Sequence, residues 1–219
     1  MSLVRDAIYD GSLMRTVMPG DVVSAAEGIQ TLGTSTALTV TGAMLAAGII
    51  SGAPSGAATY TLDTAANILA ALSPGVGQTA IANGTTFRLR HINTTANAVT
   101  WAVTANTGMS IATGTTNASS VKDFLVTIVN GTPPVQASGT TVNGSAVVSN
   151  VPLANLQAMS VGQVITNAVA GLQGATVISI NIAAGTFTAS ANANATNSTS
   201  VAISLSPVIS VQGIGQGLL

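Results

Sequence analysis

The sequence predicts a mainly β protein: two small β-sandwich or barrel-like domains with one or two short helices and an extended N-terminal arm. Three observations carry that fold class. Short runs rich in Val, Ile, Thr and aromatic residues alternate with Gly, Pro and Asn turn signals along most of the chain. Helical spacing is confined to two short stretches. Of the 219 residues 47 % are hydrophobic, ample for a core, whereas only 5 % are charged and 3 % aromatic, against about 25 % charged in an average soluble domain. The expected boundaries are an arm at 1–37, a first β domain at 38–131, a linker at 132–139, a second β domain at 140–207 and an apolar C-terminal tail at 208–219.

Residues 1–33 hold Arg5, Asp6, Asp10, Arg15, Asp21 and Glu27, six of the eleven charged residues. They show no apolar stripe and contain Pro19-Gly20, so they read as an extended arm with a short strand at Val22-Val23 that orders on a partner. Thr41 then serves as N-cap to a helical turn or two that carries Met44, Leu45 and Ile49 and ends near Gly48. Ser51 to Gly56 is a connecting stretch.

The most legible part is Ala57 to Asn130. Thr59 to Leu62 reads as a strand. Asp63 or Thr64 caps a helix at Ala65–Leu72, whose Ile68, Leu69 and Leu72 form one stripe laid across a sheet, and Pro74-Gly75 stops it. Phe87 to Ile92 alternates, Asn93 to Asn97 is a turn, and Val99, Trp101 and Val103 alternate again, which reads as a hairpin. Val121 to Val129 is apolar on both faces, as in a central strand. Asn130-Gly131 ends it.

The ordered elements Gly48-Ile49-Ile50, Ala58-Thr59-Tyr60-Thr61-Leu62-Asp63-Thr64-Ala65, Val76-Gly77-Gln78, Phe87-Arg88-Leu89-Arg90, Asn93-Thr94 and Gly108-Met109-Ser110-Ile111 resemble a module of tailed-bacteriophage virion proteins. It covers roughly Leu38 to Val129 and is similar to capsid decoration (cement) proteins and head-fibre segments. Similar proteins carry Leu-Pro-Thr-Ala where this chain has Leu62-Asp63-Thr64-Ala65, and Asp starts a helix as Pro does. The resemblance implies a homotrimer that binds the major capsid protein on the outside of the assembled head and clamps its subunits, located in the virion and made in the host cytoplasm. It implies neither catalysis nor a cofactor. A head or tail fibre segment touching the host is the alternative.

From Thr132-Pro133-Pro134 the chain becomes a joint, and beyond it Val142 to Val148, Val161 to Thr166, Thr176 to Ile180, Thr186 to Ser190 and Ser200 to Leu205 are short β-rich runs, with Ala191 to Ser198 a loop. After Asp123 no charge remains, so the water-facing side must consist of hydroxyls and amides. A surface so poor in charge resists self-association badly, which points to an assembly. In the tail, Val208, Ile209 and Val211 are expected to pair with a neighbouring chain or with the first module, because an exposed apolar strand is a liability.

Composition also argues against several classes. Without cysteine there is neither a disulfide framework nor a thiolate site. Five basic residues are too few for a nucleic-acid face. The longest apolar stretch, Ala37 to Ile50, is broken by Thr39, Thr41 and Gly42, short of the about 20 apolar residues of a spanning helix, so no membrane partner is expected. Met1 to Arg15 lacks the pattern of a signal peptide, and the protein is expected to stay soluble inside the cell that makes it. The Asn-x-Ser/Thr triplets at Asn83, Asn93, Asn117, Asn130, Asn143, Asn194 and Asn197 follow from composition.

His91 is the one histidine; on strand parity it shares a face with Phe87 and Leu89 and reads as a strand-end histidine satisfied by backbone. No G-x-S-x-G elbow accompanies it, no metal-ligand spacing is present, and nothing in the spacing of Asp21, Glu27, Asp63 and Asp123 proposes a carboxylate pair. The chain is not expected to be an enzyme. Arg88 and Arg90, two apart on one strand face, suit two parallel contacts to an acidic partner. With Arg5 and Arg15 they are the candidate partner contacts. Lys122 and Asp123 point to opposite faces, and Trp101 reads as core.

Overall fold

The computed structural model describes residues 29–72, 81–112 and 114–219 in full, and 7–10 and 13–16 as strand backbone. The fold is mainly β, with three short helices among the described residues. Within the stretch read as an arm, β1 (Ala7–Asp10) and β2 (Leu13–Thr16) pair antiparallel, with Arg15 opposite Ile8. Arg5 and the Val22-Val23 strand lie outside the described residues.

The first module is wound from a repeated unit in which a strand, a capped helix and a second strand pass from one sheet to the other. After β3 (Gln30–Thr31), the first unit is β4 (Ala37–Val40), α1 (Gly42–Ala47) and β5 (Ile49–Gly52); the second is β6 (Ala58–Leu62), α2 (Ala65–Leu72) and β7 (Thr86–Asn93). The strands β4 and β6 run parallel in one sheet, β5 and β7 parallel in the other. Both helices start as the sequence dictates. Thr41 Oγ1 accepts from the Met44 amide and Thr64 Oγ1 from the Asn67 amide, each filling an otherwise open donor of the first turn. The α1 helix closes on Gly48 in the left-handed region (φ 79°). The helices touch at Gly42, where a Cβ would lie 2.7 Å from the Asn67 carbonyl oxygen and 2.8 Å from Ile68 Cα.

Next come β8 (Val99–Val103), β9 (Met109–Ala112), β10 (Thr115–Thr116) and β11 (Ser120–Asn130). The expected hairpin of 87–103 is not formed: β7 and β8 lie in different sheets. The reason is the turn. Asn93 is fully buried, and its Nδ2 donates to the carbonyls of Asn97 (2.7 Å) and Asn117 (2.8 Å), which folds 93–98 into an arch between sheets.

The second module contains β12 (Val135–Thr141), β13 (Val147–Val148), α3 (Leu153–Ala158), β14 (Val164–Ile165), β15 (Val177–Asn181), β16 (Thr186–Ala189) and β17 (Asn197–Ser206). Two three-stranded sheets, ordered β12-β17-β14 and β13-β16-β15, enclose a core of Leu156, Ile165, Leu172, Phe187, Ile203 and Leu205. The 132–139 linker is corrected: Val135 and Ala137 alternate inward on β12 and are buried, so most of that stretch is strand. The Pro133-Pro134 signal marks only its entry. The helix α3 was not anticipated; its Leu156 alone is buried, too little for a visible stripe.

The chain then returns to the first module. Val208–Leu218 forms β18, antiparallel to β11 along its length and parallel to β9 at Ile209–Gln212. Of the two partners expected for Val208, Ile209 and Val211, the structure shows the first module, and the 208–219 tail is an integral strand of it. The sheets are therefore β10-β8-β6-β4 and β3-β5-β7-β11-β18-β9. Between them Tyr60, Leu62, Val99 and Trp101 face Leu89, Phe124, Val126, Ile128, Ile209 and Val211.

The second module is thus an excursion between two neighbouring strands. A polar clasp fixes where it leaves. Asn130 Nδ2 donates to Ser160 Oγ (3.0 Å) and the Val161 carbonyl (2.8 Å), while its Oδ1 accepts from the Thr132 amide (2.9 Å). The buried Gln163 donates to the Pro133 carbonyl (2.9 Å). At the return point Gly108 (φ 75°) packs so closely against the Pro207 carbonyl that no Cβ fits there.

Candidate functional site

One cross-strand register organises the charged and polar side chains of the first module. In the antiparallel pairing of β7 with β11, His91 stands opposite Lys122 and Arg90 opposite Asp123. Successive residues point to opposite faces, so the first pair enters the space between the sheets and the second lies on the outer face.

The inward pair braces the edge strand β10. The Nδ1 of His91 is 3.0 Å from Thr116 Oγ1, which also accepts from Trp101 Nε1 at 3.1 Å, while Lys122 Nζ donates to the Thr115 carbonyl at 2.7 Å. Around them the Tyr60, His91 and Trp101 rings meet edge to face at 5.1–5.8 Å, Trp101 tilts on Phe124 at 5.0 Å, and Lys122 Nζ sits 5.5 Å from the Phe124 ring centre. All six side chains are buried. Burial lowers the His91 pKa from 6.5 to about 4, so the ring is neutral at physiological pH; it also lowers Lys122 and pushes the Tyr60 phenol up.

Two atoms of this cluster, Tyr60 Oη and His91 Nε2, have no hydrogen-bond partner among the described residues. Both lie against Gly52. A Cβ there would be 2.7 Å from the phenol oxygen and 3.4 Å from Nε2, so β5 requires glycine at this point. His91 and Thr116 are both fully sealed from solvent, and the group acts as a brace between the sheets.

On the outer face Arg90 grips Asp123 with two bonds, Nε to Oδ1 at 2.8 Å and NH2 to Oδ2 at 3.0 Å. This contact holds the Asp123 carboxyl below its ordinary value, and the nearby Arg88 charge adds to the effect. Arg88 lies one pair further along the same face, opposite Leu125. Of the four candidate contact residues, the structure brings together Arg88 and Arg90. Arg90 is engaged within the chain, Arg15 is on β2, and Arg5 is outside the described residues.

Other sequence expectations are settled by partners. His91 bonds a threonine side chain, so its backbone-satisfied reading is corrected. Asp63 Oδ1 accepts from the Thr64 amide and Asn67 Nδ2, both at 2.8 Å, and belongs to the start of α2. Asp21 and Glu27 lie outside the described residues. Among the described residues no three His, Asp or Glu side chains gather as a metal site requires, and no helix is long and apolar enough to cross a membrane. The His91–Lys122 pairing escaped sequence reasoning because it exists only in a register. The signal was Arg90-His91 on one strand and Lys122-Asp123 on another, an order that antiparallel pairing converts into one salt bridge and one interior pair. Compared with known proteins, the chain matches no family model, no curated protein and no solved structure.

Proposed function

We propose that this protein is a structural component of a tailed-phage virion, a capsid decoration (cement) protein that binds the outer surface of the assembled head and stabilises contacts between major capsid subunits. The observation that carries this reading is the surface chemistry. From Phe124 onward no residue is charged, yet residues 135–206 of this half form a complete second module with Val142, Val147, Leu153, Val161, Ile178 and Ile182 exposed. Such a surface is suited to burial against other protein subunits. The module resemblance at Leu38 to Val129 supplies the kind of assembly. The described polar clusters are engaged in bracing the fold, in keeping with a structural role. Many weak uncharged contacts, joined in one oligomer, would act together by raising effective concentration. Arg88, on the open face of the sheet, is available to an acidic group of the partner.

The test is a cryo-electron-microscopy reconstruction of the particle with which the chain purifies. Many copies at three-fold or quasi-three-fold positions of the head are expected. A few copies at a vertex or on the tail would favour a fibre segment, and absence from any particle would sink both readings.

A further inference from the structure

The strand β18 is covered unequally. On one side β11 pairs with it from Val208 to Leu218, but on the other β9 pairs only with Ile209–Gln212. Among the described residues no strand lies along the second edge of Gly213–Leu218. At about 3.4 Å per residue this is roughly 20 Å of backbone with N–H and C=O groups directed outward. Natural edges are protected by charge, proline, brevity or a covering element. This one has no charged residue and no proline within Val208–Leu219. Within Gly213–Leu218 the one protective device is the bulge at Ile214, where the β11 register shifts. A Cβ at Gly215 or Gly217 would meet nothing within 4 Å, and Leu218 is 88 % exposed.

The order of side chains along the edge identifies the occupant. Ile214-Gly215-Gln216-Gly217-Leu218 reads nearly the same in both directions: apolar, glycine, amide, glycine, apolar. Antiparallel pairing of two such edges about Gln216 places Ile214 of each chain beside Leu218 of the other, glycine beside glycine, and the two Gln216 amides face to face. Within the chain Gln216 Nε2 donates to Ser120 Oγ at 3.3 Å, which leaves its second N–H and its carbonyl oxygen to donate to and accept from the facing amide. We propose that this edge is a two-fold contact at which a second copy of the chain adds its own β18 antiparallel, continuing the six-stranded sheet across both subunits. Such a contact is isologous and closed, and it consumes the edge that would otherwise propagate. Five paired residues bury far less than the about 1,200 Å2 of a standard stable interface, so association is weak and concentration-dependent when this contact acts alone. The inference stands apart from the capsid reading, since it concerns the purified chain in solution.

The experiment is sedimentation velocity over a concentration series, with the wild-type chain and Gln216→Glu, which sets two carboxylates opposite one another on the two-fold axis while facing Lys122 favourably within its own chain. The wild type is expected to shift reversibly to dimer as concentration rises, and the variant to remain monomeric with an unchanged circular-dichroism spectrum. Because the chain has no cysteine, Gln216→Cys adds a second readout. Opposed residues of an antiparallel pair lie about 4.5–5.5 Å apart at Cβ, so mild oxidation should link Cys-bearing chains far faster than for Ser179→Cys on the exposed part of β15. A wild type that stays monomeric throughout, with Gln216→Cys crosslinking no faster than the control, overturns the proposal. So does an oligomer, trimer included, whose mass Gln216→Glu leaves unchanged; that result would locate the subunit contact elsewhere and leave the capsid reading untouched.

Discussion

Replacing His91 by Gln should remove a specific part of the acid sensitivity of the first module. His91 is neutral and buried, with its pKa lowered from 6.5 to about 4 by desolvation. In the unfolded chain the imidazole takes up a proton as pH falls through about 6.5, whereas in the folded chain it does so only near 4. Between those values the unfolded state binds more protons, so stability declines as pH drops. The full loss is roughly 3 kcal/mol, of which about 2 kcal/mol is gone by about pH 5. Protonation would also set a second cation beside Lys122, directly opposite on β11. Tyr60, Trp101, Thr116 and Gly52, the other groups around the ring, offer no negative charge to compensate. The assay is urea unfolding at a series of pH values, followed by the emission of Trp101, the one tryptophan, whose ring centre is 5.1 Å from that of His91. His91→Gln should be less stable than wild type near neutrality by about 1–2 kcal/mol, having lost the Thr116 contact and the ring packing. Its stability should then be nearly flat where the wild type falls. Parallel slopes for the two proteins between about pH 6.5 and 4 would refute the assignment of a neutral interior histidine.

Four further outcomes are expected. Gly52→Ala pushes a methyl against the Tyr60 phenol oxygen and should lower stability by about 1–3 kcal/mol, read from the same urea curves. Gly108→Ala combines a left-handed backbone with a collision at the Pro207 carbonyl; thermal melting should show a loss of about 2–4 kcal/mol. Asn130→Ala leaves the Thr132 amide and the Val161 carbonyl without their partners. A loss of about 2–3 kcal/mol and faster proteolytic cleavage near 131–134 should follow, and unchanged cleavage would mean that the clasp does not hold the modules. The Arg90–Asp123 pair should show a coupling below about 1 kcal/mol in a double-mutant cycle, because Arg90 is 45 % exposed. Asp123, whose pKa is lowered, contributes stability above the ordinary carboxylate value of 3.8 that is lost as pH falls through its folded value, below most of the range in which His91 acts.

Local chemistry was legible in the sequence, and spatial partnership was not. The caps at Thr41 and Thr64, the left-handed close at Gly48 and the extent of α2 all follow from side chains acting on their own backbone within a few residues. The alternation of 87–92 and 99–103 also marked true strands, but a period of two specifies a face and not a neighbour. Only the buried Asn93 amide, bonded to Asn97 and Asn117, decides that the chain crosses to the other sheet. The second module was harder because its strands are short: β13 and β14 hold two residues each, a single cycle of alternation that establishes no pattern. Arg88 and Arg90 were placed correctly on one face, whereas the engagement of Arg90 by Asp123 depends on a pairing 33 residues distant. The brace at His91 was lost for the same reason, since three of its partners come from β8, β10 and β11.

The departure of the chain from β11 and its return as β18 also impose an order on synthesis. While residues 131–207 are emerging, β11 has β7 on one side and no strand among the described residues on the other, because β18 follows the second module in the chain. The cost of bringing β18 home grows with the length of flexible chain between the two strands. A second module that has already folded replaces that flexible chain with a fixed span, whose ends the Asn130 clasp and Pro207 hold near the sheet. The module thus serves as a built-in splint for its host: nascent chains cut within it should leave the first module open-edged and prone to aggregate, even though every residue of β3 to β11 is present.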